Sequence, residues 1–84
     1  MAYTYIVQCA DGTLYTGWSA NLEKRLAAHN AGTGAKYTRN RLPVELVYFE
    51  YQENQSAAQK REASIKKLRR CQKFALITEF SKIE

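Results

Sequence analysis

The sequence predicts an α/β fold of the α+β kind: a three-stranded antiparallel sheet flanked by helices, ordered β-β-α-(short α)-β-α-α. Three observations carry that prediction. Residues 3–18 alternate with period two about an Asp-Gly pair, as a β-hairpin does. Residues 44–51, VELVYFEY, form a β-branched and aromatic run with apolar residues on both faces, which asks for helices on both sides of the sheet. Around these runs lie segments with polar caps and apolar residues at three- and four-residue spacing.

In the hairpin, Tyr3, Tyr5, Val7 and Cys9 alternate with Thr4, Ile6 and Gln8. Beyond Asp11-Gly12, Thr13, Tyr15 and Gly17 alternate with Leu14, Thr16 and Trp18. The turn length decides which side chains meet. A two-residue turn sets Tyr5 opposite Trp18 and puts Tyr5 and Tyr15 on opposite faces. A three-residue loop, Ala10 to Gly12, sets Tyr5 opposite Gly17, with Gly12 as the left-handed residue of a G1 bulge. Tyr5, Val7, Tyr15 and Gly17 then share one face, and two phenols border a shallow open pocket over Gly17. The plainer alternative is a pair of aromatic faces packed into a small core.

The first helix spans Leu22 to Asn30. Ser19 or Asn21 caps it, Glu23 suits its positive end, and Gly32 stops it. Leu22 and Leu26 form its inward stripe. Arg25 and His29, themselves four apart, lie on or beside that stripe. A guanidinium and an imidazole there either line a cleft or snorkel at the core edge. Residues 31–42, AGTGAKYTRNRL, read as a loop or short irregular helix. Lys36, Arg39 and Arg41 interleave with Tyr37 there, a mixture that suits phosphates and a stacked base, or simply a solvated loop. Pro43 opens the third strand. Ser56 caps a long helix over Ala57 to Arg70 with Ala58, Ile65 and Leu68 inward. Glu62 lies about 60° from Ile65 on the helical wheel, at the rim of the buried face. Its i+4 neighbour Lys66 makes a surface ion pair the ordinary expectation. Phe74, Ile77 and Phe80 mark a short final helix within residues 71–84.

Composition bounds the function. With 84 residues the chain reads as one domain, residues 1–84. Thirteen Lys and Arg against eight Asp and Glu give a net charge of +5, which points to a polyanionic partner, nucleic acid first. Two distant cysteines and one histidine argue against a zinc site or a disulfide framework and fit a reducing cytosol. No apolar run of roughly 18 residues is present, so a cytoplasmic protein with no membrane contact is expected.

Two paired tyrosines, a helical Arg and His, and a later helical Glu make a recognisable set. The sequence resembles the GIY-YIG nuclease superfamily, in particular its small stand-alone bacterial members, the UPF0213-like group. The first triplet of the family name reads here as Tyr3-Thr4-Tyr5 and the second as Tyr15-Thr16-Gly17. The helical Arg matches Arg25 and the metal-binding Glu matches Glu62. The runs Gly34 to Arg39 and Arg61 to Leu68 look like the stand-alone group. The likeness covers residues 3 to 78. Both triplets lack the middle Ile, and the first lacks its Gly. Where many of these nucleases carry an Asn after the metal Glu, this chain has Lys73 or Phe74.

The resemblance implies a GIY-YIG endonuclease-like fold and metal-dependent hydrolysis of a phosphodiester of nucleic acid, DNA in the first place. Glu62 would hold one divalent ion, Mg²⁺ or Mn²⁺. Arg25 would neutralise phosphoryl charge, and Tyr5 or His29 would serve as base, with Tyr15 positioning water. A Tyr5 base would need neighbouring cations to favour its phenolate. Gly17 would keep the pocket floor open. Lys36, Tyr37, Arg39 and Lys66 would hold flanking nucleotides. Two other readings use the same residues: a nucleic-acid-binding module without catalysis, and an interaction subunit of a larger DNA-processing complex. With so small a footprint, specificity would come from a protein partner or a dimer.

Overall fold

Strand β1 (Ala2–Gln8) runs up the centre of the sheet, with β2 (Leu14–Ser19) on one side and β3 (Glu45–Gln52) on the other, both antiparallel to it. This computed structural model describes residues 1–83. Helix α1 (Leu22–Asn30) follows the hairpin, and α2 (Gln55–Lys66) and α3 (Arg70–Ile83) follow β3. This is the expected three-stranded α+β architecture.

The hairpin takes the three-residue register. Tyr5 stands opposite Gly17 and Val7 opposite Tyr15. The Cys9 N–H donates to Thr13 O at 2.8 Å, the Gly12 N–H donates to Cys9 O at 2.9 Å, and Gly12 has φ +85°. That positive φ is the left-handed conformation that glycine tolerates and that the bulge needs. Asp11 secures the loop by accepting from the Thr13 N–H at 3.1 Å. The consequence is that Tyr5, Val7, Tyr15 and Gly17 lie on one face of the sheet.

A second irregularity lies in β3. Ile6 pairs with Tyr48 and Val7 with Leu46, so Val47 is the extra residue of a bulge. Without it Leu46 would point to the other face. With it, Leu46 packs against the cluster of Tyr5, Val7, Cys9 and Val44, joined by Leu22 and Leu26 of α1. The opposite face buries Thr4 and Ile6, and α2 places Ala58 and Ile65 in the core. The Thr4 hydroxyl donates to Ala58 O at 2.9 Å, which satisfies that buried group. Phe80 of α3 meets both Tyr48 and Phe49, which point to opposite faces, so α3 covers the outer edge of β3.

The helix ends differ in part from the sequence expectation. Asn21, not Ser19, caps α1, accepting from the Lys24 N–H at 3.0 Å. The helix closes in a Schellman pair: the Gly32 N–H donates to His29 O and the Thr33 N–H to Ala28 O, with Gly32 at φ +80°. Helix α2 starts earlier than predicted, because Asn54 rather than Ser56 caps it, accepting from the Ala57 N–H at 2.8 Å. It also ends earlier, at Lys66. The Arg69 N–H donates to the Gln72 side chain at 2.8 Å, half of a capping box that restarts the chain as α3. Residues 31–44 carry successive turns in place of the short helix, with the Thr38 N–H on Ala35 O and the Arg41 N–H on Thr38 O. Two glycines in the segment favour that outcome. Asn30 anchors its far end by exchanging two hydrogen bonds with the Val44 backbone, at 2.8 and 3.2 Å.

Candidate active site

The register of the hairpin and the pitch of α1 bring Tyr5, Tyr15, Arg25 and His29 together. The Tyr5 hydroxyl lies 2.9 Å from His29 Nε2 and accepts a hydrogen bond from Arg25 Nε at 3.3 Å. The Tyr15 ring meets His29 edge-on, 5.5 Å between centroids. Arg25 and His29 occupy successive turns of one helix face, so both reach one phenol.

His29 is completely buried. It neither lines an open cleft nor snorkels. Its other nitrogen, Nδ1, lies 2.8 Å from the Thr38 hydroxyl, and that hydroxyl donates to Ala35 O at 3.0 Å. A hydroxyl carries one proton. With that proton on Ala35, Thr38 accepts from Nδ1–H, so Nε2 is the unprotonated nitrogen and accepts the Tyr5 proton. The opposite arrangement would aim two donors at the Tyr5 oxygen and leave its own buried proton without an acceptor among the described residues. The chain of donation therefore runs from Arg25 to Tyr5, and from Tyr5 to His29. His29 in turn donates to Thr38, and Thr38 to a backbone carbonyl.

Burial and the nearby Arg25 charge push the His29 pKa down, which keeps the imidazole neutral. Burial pushes the Tyr5 phenol up and outweighs the Arg25 hydrogen bond that favours its anion. A Tyr5 base needs neighbouring cations to favour its phenolate, and in this structure desolvation outweighs the help that Arg25 gives. The hydrogen bond to Tyr5 raises Arg25, which stays cationic. Arg25 also lines an open surface hollow with Ser19, Lys24 and Ala28.

Gly17 does not floor an open pocket. A Cβ there would lie 2.7 Å from the Tyr5 hydroxyl oxygen and 3.2 Å from the Tyr15 ring. The missing side chain is the seat of the Tyr5 phenol, which fills the space completely.

Glu62 projects from α2 and pairs with Lys66 at 2.9 Å, the ordinary i, i+4 ion pair. Lys66 Nζ stands 6.0 Å from the Tyr15 ring centroid, and the Glu62 charge is close enough to oppose ionisation of Tyr5. The pair therefore borders the tyrosines. Among the described residues no three His, Cys, Asp or Glu side chains gather into a metal cage. A lone, mostly buried carboxylate fits an ion that keeps its waters and takes oxygens from a phosphate, as Mg²⁺ does, and does not fit a site built wholly of protein ligands.

The basic loop divides. Lys36 and Arg39 are exposed and enter no ion pair among the described residues. Tyr37 instead stacks on Tyr15, 5.8 Å between centroids at 25°, and Arg41 lies 4.3 Å from its ring centroid. Arg41 is itself held by Asp11 at 3.1 Å. The Tyr37 ring thus packs within the protein on one side, and the residue stays 41% exposed. Thr38 was missed altogether. It stands between two exposed residues of a polar loop, and only the fold reveals that it is buried.

Comparison with known proteins agrees with this architecture. Residues 1–75 match the family model of the GIY-YIG catalytic domain. A UPF0213 protein of Clostridium perfringens is 62% identical over 81 residues, covering 96% of this chain and 87% of that protein. A UPF0213 protein of Natronomonas pharaonis is 53% identical over 77 residues, covering 92% and 91%. Among solved structures, protein EF2693 from E. faecalis is 46% identical with a TM-score of 0.61, covering 94% of this chain and 84% of that one. The UPF0213 protein BH0048 from Bacillus halodurans is 38% identical with a TM-score of 0.59, covering 93% and 84%. The chain therefore belongs to the GIY-YIG catalytic-domain family, within its UPF0213 group.

Proposed function

We propose that this chain, acting as one domain in the cytoplasm, is a metal-dependent nuclease that hydrolyses phosphodiester bonds of nucleic acid, DNA in the first place. The observation that carries the reading is the buried chain of donation from Arg25 through Tyr5 to a neutral His29. Such a chain moves a proton without a free phenolate forming at Tyr5; the charge appears instead as an imidazolium at His29. As water attacks phosphorus, its proton passes to the Tyr5 oxygen while the Tyr5 proton passes to His29 Nε2. The bond to the leaving oxygen breaks, and that oxygen takes a proton from solvent. Tyr5 thus takes the proton from water and passes its own to His29, whose neutral form, ready to accept, is favoured by burial and the Arg25 charge. Arg25, shared between Tyr5 and the open hollow, offsets charge growing on the phosphoryl oxygens. Tyr15 holds the approach to the His29 ring. Lys36, Arg39 and, once it leaves Glu62, Lys66 hold the flanking backbone.

Glu62 is the residue suited to a divalent ion, Mg²⁺ or Mn²⁺, which supplies charge stabilisation at the phosphate and leaving oxygen when bound. The Glu62–Lys66 pair supports one second reading, a module that binds nucleic acid without cutting it, because Lys66 already neutralises the carboxylate beside the tyrosines. The test is cleavage of labelled DNA and RNA, including branched DNA, with Mg²⁺, Mn²⁺ or chelator. Metal-dependent cutting that Glu62→Ala, Arg25→Ala and Tyr5→Phe abolish is the expected result. Retained binding with no cutting under any metal favours the second reading.

A further inference from the structure

The residue that decides which His29 nitrogen carries the proton lies neither on the helix nor on the sheet. It lies on the segment that follows α1, which closes over the imidazole from its Nδ1 side. Gly34 approaches so closely that a Cβ would lie 2.5 Å from His29 Nδ1 and 2.8 Å from His29 Cα. Neither neighbour yields easily, since one belongs to a buried ring and the other to backbone. Four residues later Thr38, completely buried, sets its hydroxyl 2.8 Å from Nδ1. Its backbone and hydroxyl both return to Ala35, at 3.1 and 3.0 Å. The hydroxyl is therefore aimed, its single proton is committed to a carbonyl, and the lone pair left over faces the imidazole.

We infer that the Gly34–Thr38 segment is a latch that holds His29 in its Nδ1–H tautomer, and that Thr38 is a positioning residue for the Tyr5–His29 pair. The inference rests on the proposed proton path for its consequence but not for its test. The two ring nitrogens of a histidine are told apart by the bond the other one makes. If Thr38 loses its hydroxyl, Nδ1–H loses its hydrogen-bond acceptor among the described residues. The ring then gains by moving its proton to Nε2, where it competes with the Tyr5 proton. Val preserves the shape of Thr and removes both hydrogen bonds of the hydroxyl, to Nδ1 and to Ala35 O. Ser keeps the hydroxyl and loses a methyl group.

His29 is the only histidine in the sequence, so its ring signals identify themselves. The experiment is long-range ¹H–¹⁵N correlation of the imidazole at pH 8, without metal or nucleic acid. In the wild type, Nδ1 is expected in the protonated range and Nε2 in the unprotonated range. In Thr38→Val the Nδ1–H form falls to half or less of the population, and in Thr38→Ser it returns. If Thr38→Val does not fold, Thr38→Ala removes the same hydroxyl without adding bulk and is read in the same way. A wild type carrying its proton on Nε2, or a hydroxyl-free variant with unchanged ring signals, overturns the latch. A chain that shows this tautomer but cuts no nucleic acid keeps the latch and loses only the nuclease reading.

Discussion

The sheet carries a polar cluster on each face. On the α1 face, Tyr5, Arg25, His29 and Thr38 form the chain of donors described above. On the α2 face, Glu50 takes two hydrogen bonds from Arg61 Nε and one from Nη2, at 2.9 to 3.1 Å, with further bonds from Tyr48 and Gln52. The second cluster is a closed ion pair. Burial alone would raise Glu50, but the bonds from Arg61 and Tyr48 outweigh it and hold the carboxyl below its ordinary range. Burial and the carboxylate push Tyr48 up to about 12. Neither group titrates near neutrality, and Arg61 is unavailable to a polyanion. The first cluster contains one cation, no carboxylate partner for it among the described residues, and two neutral groups that share a proton. Charge balance locks groups in place. A neutral relay beside an unmatched cation leaves a proton free to move and a cation free to meet phosphate.

That contrast is broken most sharply by Tyr5→Phe. The ring keeps its seat on Gly17, and cleavage falls by about 10²- to 10⁴-fold, the usual contribution of a positioned proton-transfer group. The matching substitution on the other face, Arg61→Ala, leaves cleavage by the folded protein unchanged. It lowers stability by about 1–2 kcal/mol, since the pair is partly screened by solvent, and urea unfolding reads it. Gly17→Ala sets a methyl group 2.7 Å from the Tyr5 oxygen. It costs about 1–3 kcal/mol of overpacking and reduces cleavage as well, because Tyr5 must shift off His29. Smallest is the effect of Lys36→Ala or Arg39→Ala. Each lowers the dependence of log binding constant on log salt by about one phosphate contact and leaves the unfolding midpoint unchanged.

The pH dependence of stability separates the clusters too. His29 has a lowered pKa in the folded chain. Below its ordinary value of 6.5 the unfolded chain gains a proton that the folded chain refuses. The His29 contribution is therefore complete above that pH and is lost as pH falls, by at most about 1.4 kcal/mol per pH unit. Glu50 also has a lowered pKa, so its contribution is lost only in the acid range of carboxylates.

Much of this was legible in the sequence, and the misses share a cause. The hairpin, its two candidate registers and the Arg25–His29 face follow from local periodicity. Choosing the register needed the third dimension, since one residue of turn decides whether Tyr5 meets Gly17 or Trp18. Gly17 was recognised as a place without a side chain, but only packing shows that the Tyr5 hydroxyl occupies it. The restart of the chain at Arg69 carries no Gly or Pro, and its signal is a Gln side chain reaching back three residues. Thr38 and Tyr37 are neighbours in a basic loop. One is buried on His29 and the other is stacked on Tyr15, and nothing in their order distinguishes them.

The central claim is that His29, reached through Tyr5, accepts the proton from water. The pH profile of metal-dependent cleavage from pH 5 to 9 tests it most directly. Neutral His29 is required, so the rate should rise with pH along a limb whose midpoint lies below 6.5, then stay level to pH 9. A rate that keeps climbing tenfold per unit up to pH 9 would mean that the active species is a free Tyr5 phenolate, and would contradict the account.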